Sequence, residues 1–472
     1  MRKSFLSDIS KLLSGTLVAQ VLVFSITPIL TRLYSPKEFG ELSLFISIVS
    51  VLAVISSLRY NRAIIVSKFD KYAIPITWLG GVVTFVFFMI LLIAISTLYL
   101  SNSDIIASQS IVFLILIPFS VLFAGKLELF NCLSIRFGDF ANVAKAKVAL
   151  TLTTLVTQLS FYYLGSAALI FGHFLGQLVG FIVNSYKYKN EVIKHKIDKK
   201  KSIALAKRYK EFPIYSTWEA LANAVGNNIP VFIFATLFSS TAAGYFALTF
   251  KVLNIPMTLL GAAIGQVFFS RAAKAYHNGG LNVITEKLFY FLINIGMIPA
   301  IMITILSADI FSIVFSEQWL TSGYYAQVMT PWLFFVFISS PLSSLISISE
   351  NQKNGLKFQV FLLSARVISL LIGAIFFSEV ETLYFLTIVN IVSLTFFIYW
   401  LLKISGSNTT SVLMGFFRTS VFSFLVCTPF IIITQFYPEN LMLILLAITV
   451  TTATYLIRMY SIYNTKVKSR YD

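Results

Sequence analysis

Residues 73–97 read AIPITWLGGVVTFVFFMILLIAIST, a stretch without a single charge. At 1.5 Å per residue a helix of that length rises about 37 Å, more than the ~30 Å hydrocarbon core of a bilayer. The stretch therefore reads as a transmembrane helix, and runs of the same kind recur along the whole chain. Fourteen spans are expected, at roughly 12–31, 40–58, 73–97, 108–130, 146–164, 167–185, 212–236, 242–268, 286–308, 327–349, 356–377, 382–402, 413–434 and 440–458. The fifth and sixth are divided only by Leu164-Gly165-Ser166, and the seventh is unusually polar.

Composition agrees. Of 472 residues, 57% are hydrophobic and 12% charged, with 46 Phe and a mean hydropathy of +0.85. A soluble globular chain carries about 25% charged residues and could not hide this much apolar surface. Cys132 and Cys427 sit in or beside apolar runs and make neither a disulfide framework nor a metal site. His173, His195 and His277 are too scattered for a metal cluster, so neither metal nor cofactor is expected. The chain opens Met-Arg-Lys before an apolar run long enough to span, with no small-residue cleavage site, and reads as a retained first helix.

Charge placement tests the count. With the N-terminus in the cytoplasm, cytoplasmic segments and adjoining helix ends hold 32 of the 36 Lys and Arg. Outer segments hold only Arg32 and Lys37, while Lys251 and Arg366 fall inside spans. A miscounted helix near the middle would invert this asymmetry downstream, so the positive-inside rule supports both count and orientation. The C-terminus is then cytoplasmic too. Basic loops facing anionic lipid explain most of the net charge of +17, and nucleic acid is not an expected partner.

Two six-helix halves emerge, 1–185 and 212–403, joined by a basic cytoplasmic linker at 186–211 and followed by two extra helices and a basic tail at 404–472. The second helix of each half opens alike. Leu33-Tyr34-Ser35, Gly40 and Leu44 match Leu237-Phe238-Ser239, Gly244 and Leu248 at a constant offset of 204 residues. That suggests a parallel duplication, a common construction in transporters.

Polar side chains inside the spans are the candidate functional groups, because charge in hydrocarbon is retained where it meets water, a partner or a ligand. Lys251 shares a face with Asn254 and Thr258, and Arg366 lies mid-span beside Gln359 and Ser369. Both read as cations of a central cavity that attract an anion, with snorkelling or a structural ion pair as the alternative. The seventh span carries Ser216, Glu219, Asn223 and Asn227 on one stripe, with Pro230 a kink, and the first carries Thr16, Gln20, Thr27 and Thr31. Such stripes line an aqueous cavity or bond neighbouring helices, and spacing alone leaves both open. Glu219 reads as a proton site or as the partner of a cation. Gly172, Gly176 and Gly180 form a packing ladder, with His173 beside it, and Lys126 and Glu128 read as snorkelling at a cytoplasmic helix end.

No phosphate-binding P-loop, zinc-protease helix or nucleophile elbow occurs. Small outer loops leave little room for a glycosyltransferase or polymerase site. A secondary transporter, not an enzyme, fits best.

Several motifs resemble the Wzx-type polysaccharide-biosynthesis flippases of the multidrug/oligosaccharidyl-lipid/polysaccharide (MOP) superfamily. Thr31-Arg32-Leu33-Tyr34-Ser35-Pro36-Lys37-Glu38-Phe39-Gly40 is similar to their first outer loop, and Ser57-Leu58-Arg59-Tyr60 to the inner loop that follows. There the family often continues with Glu and an apolar residue, whereas this chain has Asn61 and Arg62. Arg208-Tyr209-Lys210-Glu211-Phe212-Pro213 resembles the start of their seventh helix. Ala243-Gly244-Tyr245-Phe246-Ala247-Leu248, Pro256 and Gly265-Gln266-Val267-Phe268-Phe269 resemble the eighth, and Gln318-Trp319 with Pro331-Trp332 the connection of the ninth to the tenth.

The resemblance implies a MATE-like all-α membrane fold of 12–14 helices, with two six-helix lobes around a central cavity. It implies a flippase that moves an undecaprenyl-diphosphate-linked oligosaccharide, an O-antigen or capsule repeat unit, across the bacterial inner membrane by alternating access. Lys251, Arg366, Arg59 and Arg62 would attract the diphosphate, and Gln20, Asn223, Asn227 and Asn254 would serve the sugar. Glu219 would couple to a proton or sodium gradient. Membrane lipid and other polysaccharide-assembly proteins are the further partners. The alternatives are an ion-coupled multidrug exporter of the same superfamily and a membrane-embedded glycosyltransferase or polymerase.

Overall fold

The computed structural model describes residues 2–100, 111–188, 192, 199–255, 261–436 and 441–468. His195 and Pro256 lie outside them, as does part of the basic linker. Among the described residues every element is helical. In chain order the α-helices are α1 Arg2–Leu33, α2 Pro36–Ser56, α3 Tyr60–Val66, α4 Ala73–Leu100, α5 Ile111–Arg136, α6 Phe140–Ser160, α7 Ser166–Ser185 and α8 Lys199–Arg208. They continue as α9 Thr217–Ile233, α10 Ser240–Leu253, α11 Ala262–Asn278, α12 Leu281–Phe315, α13 Leu320–Leu342, α14 Leu345–Ile348, α15 Gln352–Phe376, α16 Glu379–Ile404, α17 Thr409–Phe436 and α18 Leu441–Lys468. Helix α9 is flanked by π-helical turns at Phe212–Ser216 and Phe234–Phe238.

Twelve described segments are long and apolar enough to cross a membrane, against the fourteen spans expected. The expected span 146–164 is α6, where Lys145, Lys147 and a series of Thr and Gln residues dilute the apolar content. The expected span 242–268 includes residues outside those described, with α10 on one side of them and α11 on the other. The protein is a multi-pass membrane protein.

The chain divides into two compact units, residues 1–248 with 314–319, and 249–313 with 320–472. The first unit therefore takes in 212–248, which the sequence reading groups with the second half.

In the first unit, α2 begins with a capping box. Glu38 Oε2 accepts hydrogen bonds from the Ser35 backbone N–H (2.7 Å) and hydroxyl (2.8 Å), and Pro36 occupies the first turn. The buried Trp319 indole donates to the Thr31 carbonyl at 2.8 Å, and the Gln318 amide donates to the carbonyls of Thr31 and Tyr34. These bonds satisfy acceptors that the end of α1 leaves open. Two sequence motifs 280 and more residues apart are thus one structural piece. The ladder Gly172, Gly176 and Gly180 lets α7 lie against α6, where added β-carbons would strike Gln158, Thr154 and Leu150.

The repeat-related glycines also meet. A β-carbon on Gly40 would fall on the Ser240 carbonyl oxygen, and one on Gly244 on the Pro36 carbonyl oxygen. Each would also lie 3.0 Å from the other glycine's backbone nitrogen. Pro36 and Ser240 are themselves offset by 204 residues, so α2 and α10 cross reciprocally at positions that share the offset seen in the sequence.

Candidate functional site

In the first unit the polar groups gather where α2 turns into α3. Leu58 (φ 45°) and Arg59 (φ 59°) are consecutive non-glycine residues in the left-handed region, a conformation that costs about 1–2 kcal/mol per residue. Backbone bonds from Leu58 N–H to Ile55 and from Tyr60 N–H to Ser57 hold the turn. It places the half-buried Arg59 side chain with its Nε buried and without a hydrogen-bond partner among the described residues. Burial, and then the like charge of Arg62, lower the Arg59 pKa, while Glu128, Cys132 and Glu219 act in the opposite sense. Arg62, Glu128 and Glu219 are therefore each within electrostatic reach of Arg59.

Glu128 is not simply a snorkelling residue. Its Oε1 accepts a hydrogen bond from the buried Asn61 amide at 3.3 Å, and the Cys132 thiol lies one turn along at 3.8 Å. An acid on α5 thus faces the position where resembling sequences carry their own. Lys126 keeps its ammonium 5.7 Å from the Phe181 ring centroid.

On α9, Glu219, Asn223 and Asn227 are exposed, and the Asn227 amide donates to Asn223 at 2.8 Å. The stripe on α1 divides. Thr27 and Thr31 are buried and bond carbonyls of their own helix, Thr16 accepts from Lys147 Nζ at 3.3 Å, and Gln20 is half-buried. His173 stands edge-on to Phe45 in the packing.

In the second unit the centre is Arg366 on α15. Its Nε donates to Asn390 Oδ1 of α16 at 2.7 Å, and its guanidinium lies 5.8 Å from the Trp332 ring of α13. The Asn390 amide in turn donates to the Leu386 carbonyl at 2.8 Å, which fixes the side chain with its oxygen toward the arginine. Trp332 Nε1 and Thr387 Oγ1 are buried without hydrogen-bond partners among the described residues. Phe250 packs on Trp332 with centroids 6.2 Å apart, next in sequence to the exposed Lys251. Asn254 donates to the Phe250 carbonyl of its own helix at 2.8 Å. Sequence reasoning named Arg366 but missed Asn390, whose only local signal is that it is the one side-chain amide in α16.

Residues 29–324 match the sequence profile of a family described as polysaccharide biosynthesis protein. The chain belongs to that family. No curated protein matches it. Among solved structures this polysaccharide biosynthesis protein is similar to the lipid II flippase MurJ in an inward closed conformation, with a TM-score of 0.69 and 16% identity over 96% of this chain and 98% of that one. It is also similar to an inward-facing multidrug resistance MATE family transporter of the MOP superfamily (TM-score 0.61, 13% identity, 82% and 95% covered). A MOP superfamily transporter from Pyrococcus furiosus matches at 0.56 and 12% identity, with 85% and 96% covered. The fold of the family member is therefore that of MOP flippases and transporters.

Proposed function

We propose that this polysaccharide biosynthesis protein flips an undecaprenyl-diphosphate-linked oligosaccharide from the cytoplasmic to the outer leaflet of the inner membrane by alternating access. The carrying observation is the setting of Arg366, a cation inside an apolar span whose hydrogen-bond partner is a neutral amide. A carboxylate partner would cancel the charge, whereas Asn390 orients the guanidinium and leaves its charge for an anion. Diphosphate is an anion that forked guanidinium donors bind well. Arg59, Arg62 and Lys251 add cations, and Gln20, Asn223, Asn227 and Asn254 offer amides to sugar hydroxyls. Such hydroxyls need partners during transfer, because an unsatisfied polar group in hydrocarbon costs several kcal/mol. Glu219, within the field of Arg59, is the candidate for proton or sodium coupling.

The test is deletion and complementation in the host, scoring surface polysaccharide and accumulated lipid-linked oligosaccharide. Deletion is expected to remove the polymer and accumulate the precursor, and Arg366→Ala at matched membrane level is expected not to restore export. Normal polysaccharide after deletion, with raised drug sensitivity, would replace the flippase reading with the multidrug-exporter one.

A further inference from the structure

Helices α17 and α18 carry a pair of arginines that no part of the flippase reading uses. Arg458 on α18 donates from Nε to Asn294 Oδ1 of α12 at 2.9 Å, and its guanidinium carbon lies 3.8 Å from the Phe422 ring centroid on α17. The Asn294 amide is held by the Tyr290 carbonyl at 2.7 Å. One turn before Arg458, the Tyr455 hydroxyl donates to the Ile295 carbonyl at 3.0 Å. These contacts fasten α18 to α12 with neutral acceptors. Arg418 sits four residues before Phe422 on α17, is exposed, and its charge is felt at Arg458. Among the described residues neither arginine makes an ion pair.

Depth sharpens the point. Arg418 lies nine residues from the start of α17 and Arg458 ten from the end of α18, roughly 14 and 15 Å along the helices. The apolar span of α18 is Met442–Tyr460, so Arg458 lies two residues, about 3 Å, inside its end, and Arg418, one turn before the Phe422 that packs on Arg458, lies near the same edge. This edge is the one that the charge distribution assigns to the cytoplasm. Around them Phe417, Val421 and Leu425 on α17, and Leu456 and Ile457 on α18, are exposed. Two neighbouring like charges at the hydrocarbon edge favour an anion at the level of lipid head groups, and the apolar faces beside them suit acyl chains.

We propose that Arg418 and Arg458 form a binding site for the phosphate of an anionic phospholipid. Basic pockets between transmembrane helices on the cytoplasmic side bind such head groups. A zwitterionic lipid would bring its own ammonium toward two guanidinium groups, so net negative charge is part of the specificity. Through the bond of Arg458 to Asn294, the bound lipid secures the last two helices against α12.

The test uses the full-length protein in non-ionic detergent, titrated with phosphatidylglycerol, phosphatidylcholine or undecaprenyl diphosphate. Bound lipid is read by native mass spectrometry and stability by the thermal unfolding midpoint. The wild type is expected to bind phosphatidylglycerol and gain stability from it, but not from phosphatidylcholine. Because Arg418 is exposed, Arg418→Gln is expected to fold normally and to bind phosphatidylglycerol about tenfold more weakly, as loss of a charge-assisted hydrogen bond predicts. Its binding of undecaprenyl diphosphate should stay unchanged. Equal binding of phosphatidylglycerol by wild type and variant overturns the proposal, and so does equal stabilisation by phosphatidylcholine. Selective loss of undecaprenyl diphosphate binding overturns it too, by assigning the pair to the polyprenyl substrate.

Discussion

Replacing Gly40 by Ala sets two effects of opposite sign against each other, and the crossing of α2 with α10 decides between them. In a helix whose surroundings are open, Gly→Ala gains about 0.8–1 kcal/mol from propensity. At Gly40 the new methyl group would land on the Ser240 carbonyl oxygen and 3.0 Å from the Gly244 nitrogen, both backbone atoms of another helix. Backbone cannot swing aside as a side chain can, so the two helices must separate, and overpacking of this kind costs about 1–3 kcal/mol. Allowing for the propensity gain, Gly40→Ala should lower stability by up to about 2 kcal/mol. Gly244→Ala should do the same, because the contact is reciprocal. The double variant should cost less than the sum, since one separation of the helices accommodates both methyl groups. Gly81 on α4 is the control, with nothing within 4 Å of its would-be β-carbon, and Gly81→Ala should be neutral or stabilising. Unfolding in mixed micelles, followed by far-ultraviolet circular dichroism, measures all four variants. If Gly40→Ala stabilises the protein as much as Gly81→Ala does, the helices do not cross backbone to backbone and the reasoning is wrong.

Other outcomes follow from the two polar centres and the loop after α5. Asn390→Asp converts the neutral partner of Arg366 into a counter-ion, so export should fall while the protein still folds; unimpaired complementation would show that the arginine's net charge does not matter. Glu128→Gln keeps the shape but removes the charge opposite Arg59, whereas Glu128→Leu also strands the Asn61 amide and should cost a further ~1–3 kcal/mol in the same unfolding assay. Trp319→Phe removes one of the two donors to the Thr31 carbonyl, leaving the Gln318 amide, and should cost about 0.5–1.5 kcal/mol, which urea titration would detect. Burial raises the Asp139 pKa, but hydrogen bonds from Lys187 Nζ (2.6 Å), the Asn142 N–H and Tyr188 outweigh it and hold the carboxyl below its ordinary value. A depressed carboxyl stabilises the fold above its unfolded pKa of about 3.9 and loses that contribution as pH falls through the folded value. Thermal midpoints should therefore drop on acidification in that window, and the drop should be smaller in Asp139→Asn.

Much of the architecture was legible because its signals are local. Hydrophobic runs of bilayer length show in a single pass, and the duplication appears as a fixed offset. Of the fourteen expected spans twelve stand as long apolar helices among the described residues, and α6, with Lys145 and Lys147 inside it, is helical but less apolar. The candidate residues were legible as types but not as sites. The polar stripe on α1 looked uniform, yet Thr27 and Thr31 turned inward to their own backbone while Gln20 stayed half-buried.

By itself, then, the sequence determined that this is a multi-span α-helical membrane protein. Composition, spacing and charge act over a few residues and survive any arrangement of the helices. The tertiary structure alone decided which polar groups meet. Arg366 found Asn390 across 24 residues, Asn61 found Glu128 across 67, and Arg458 found Asn294 across 164. Each is a bond of a buried or half-buried polar group whose partner is chosen by helix packing, and no local pattern in the chain announces that choice.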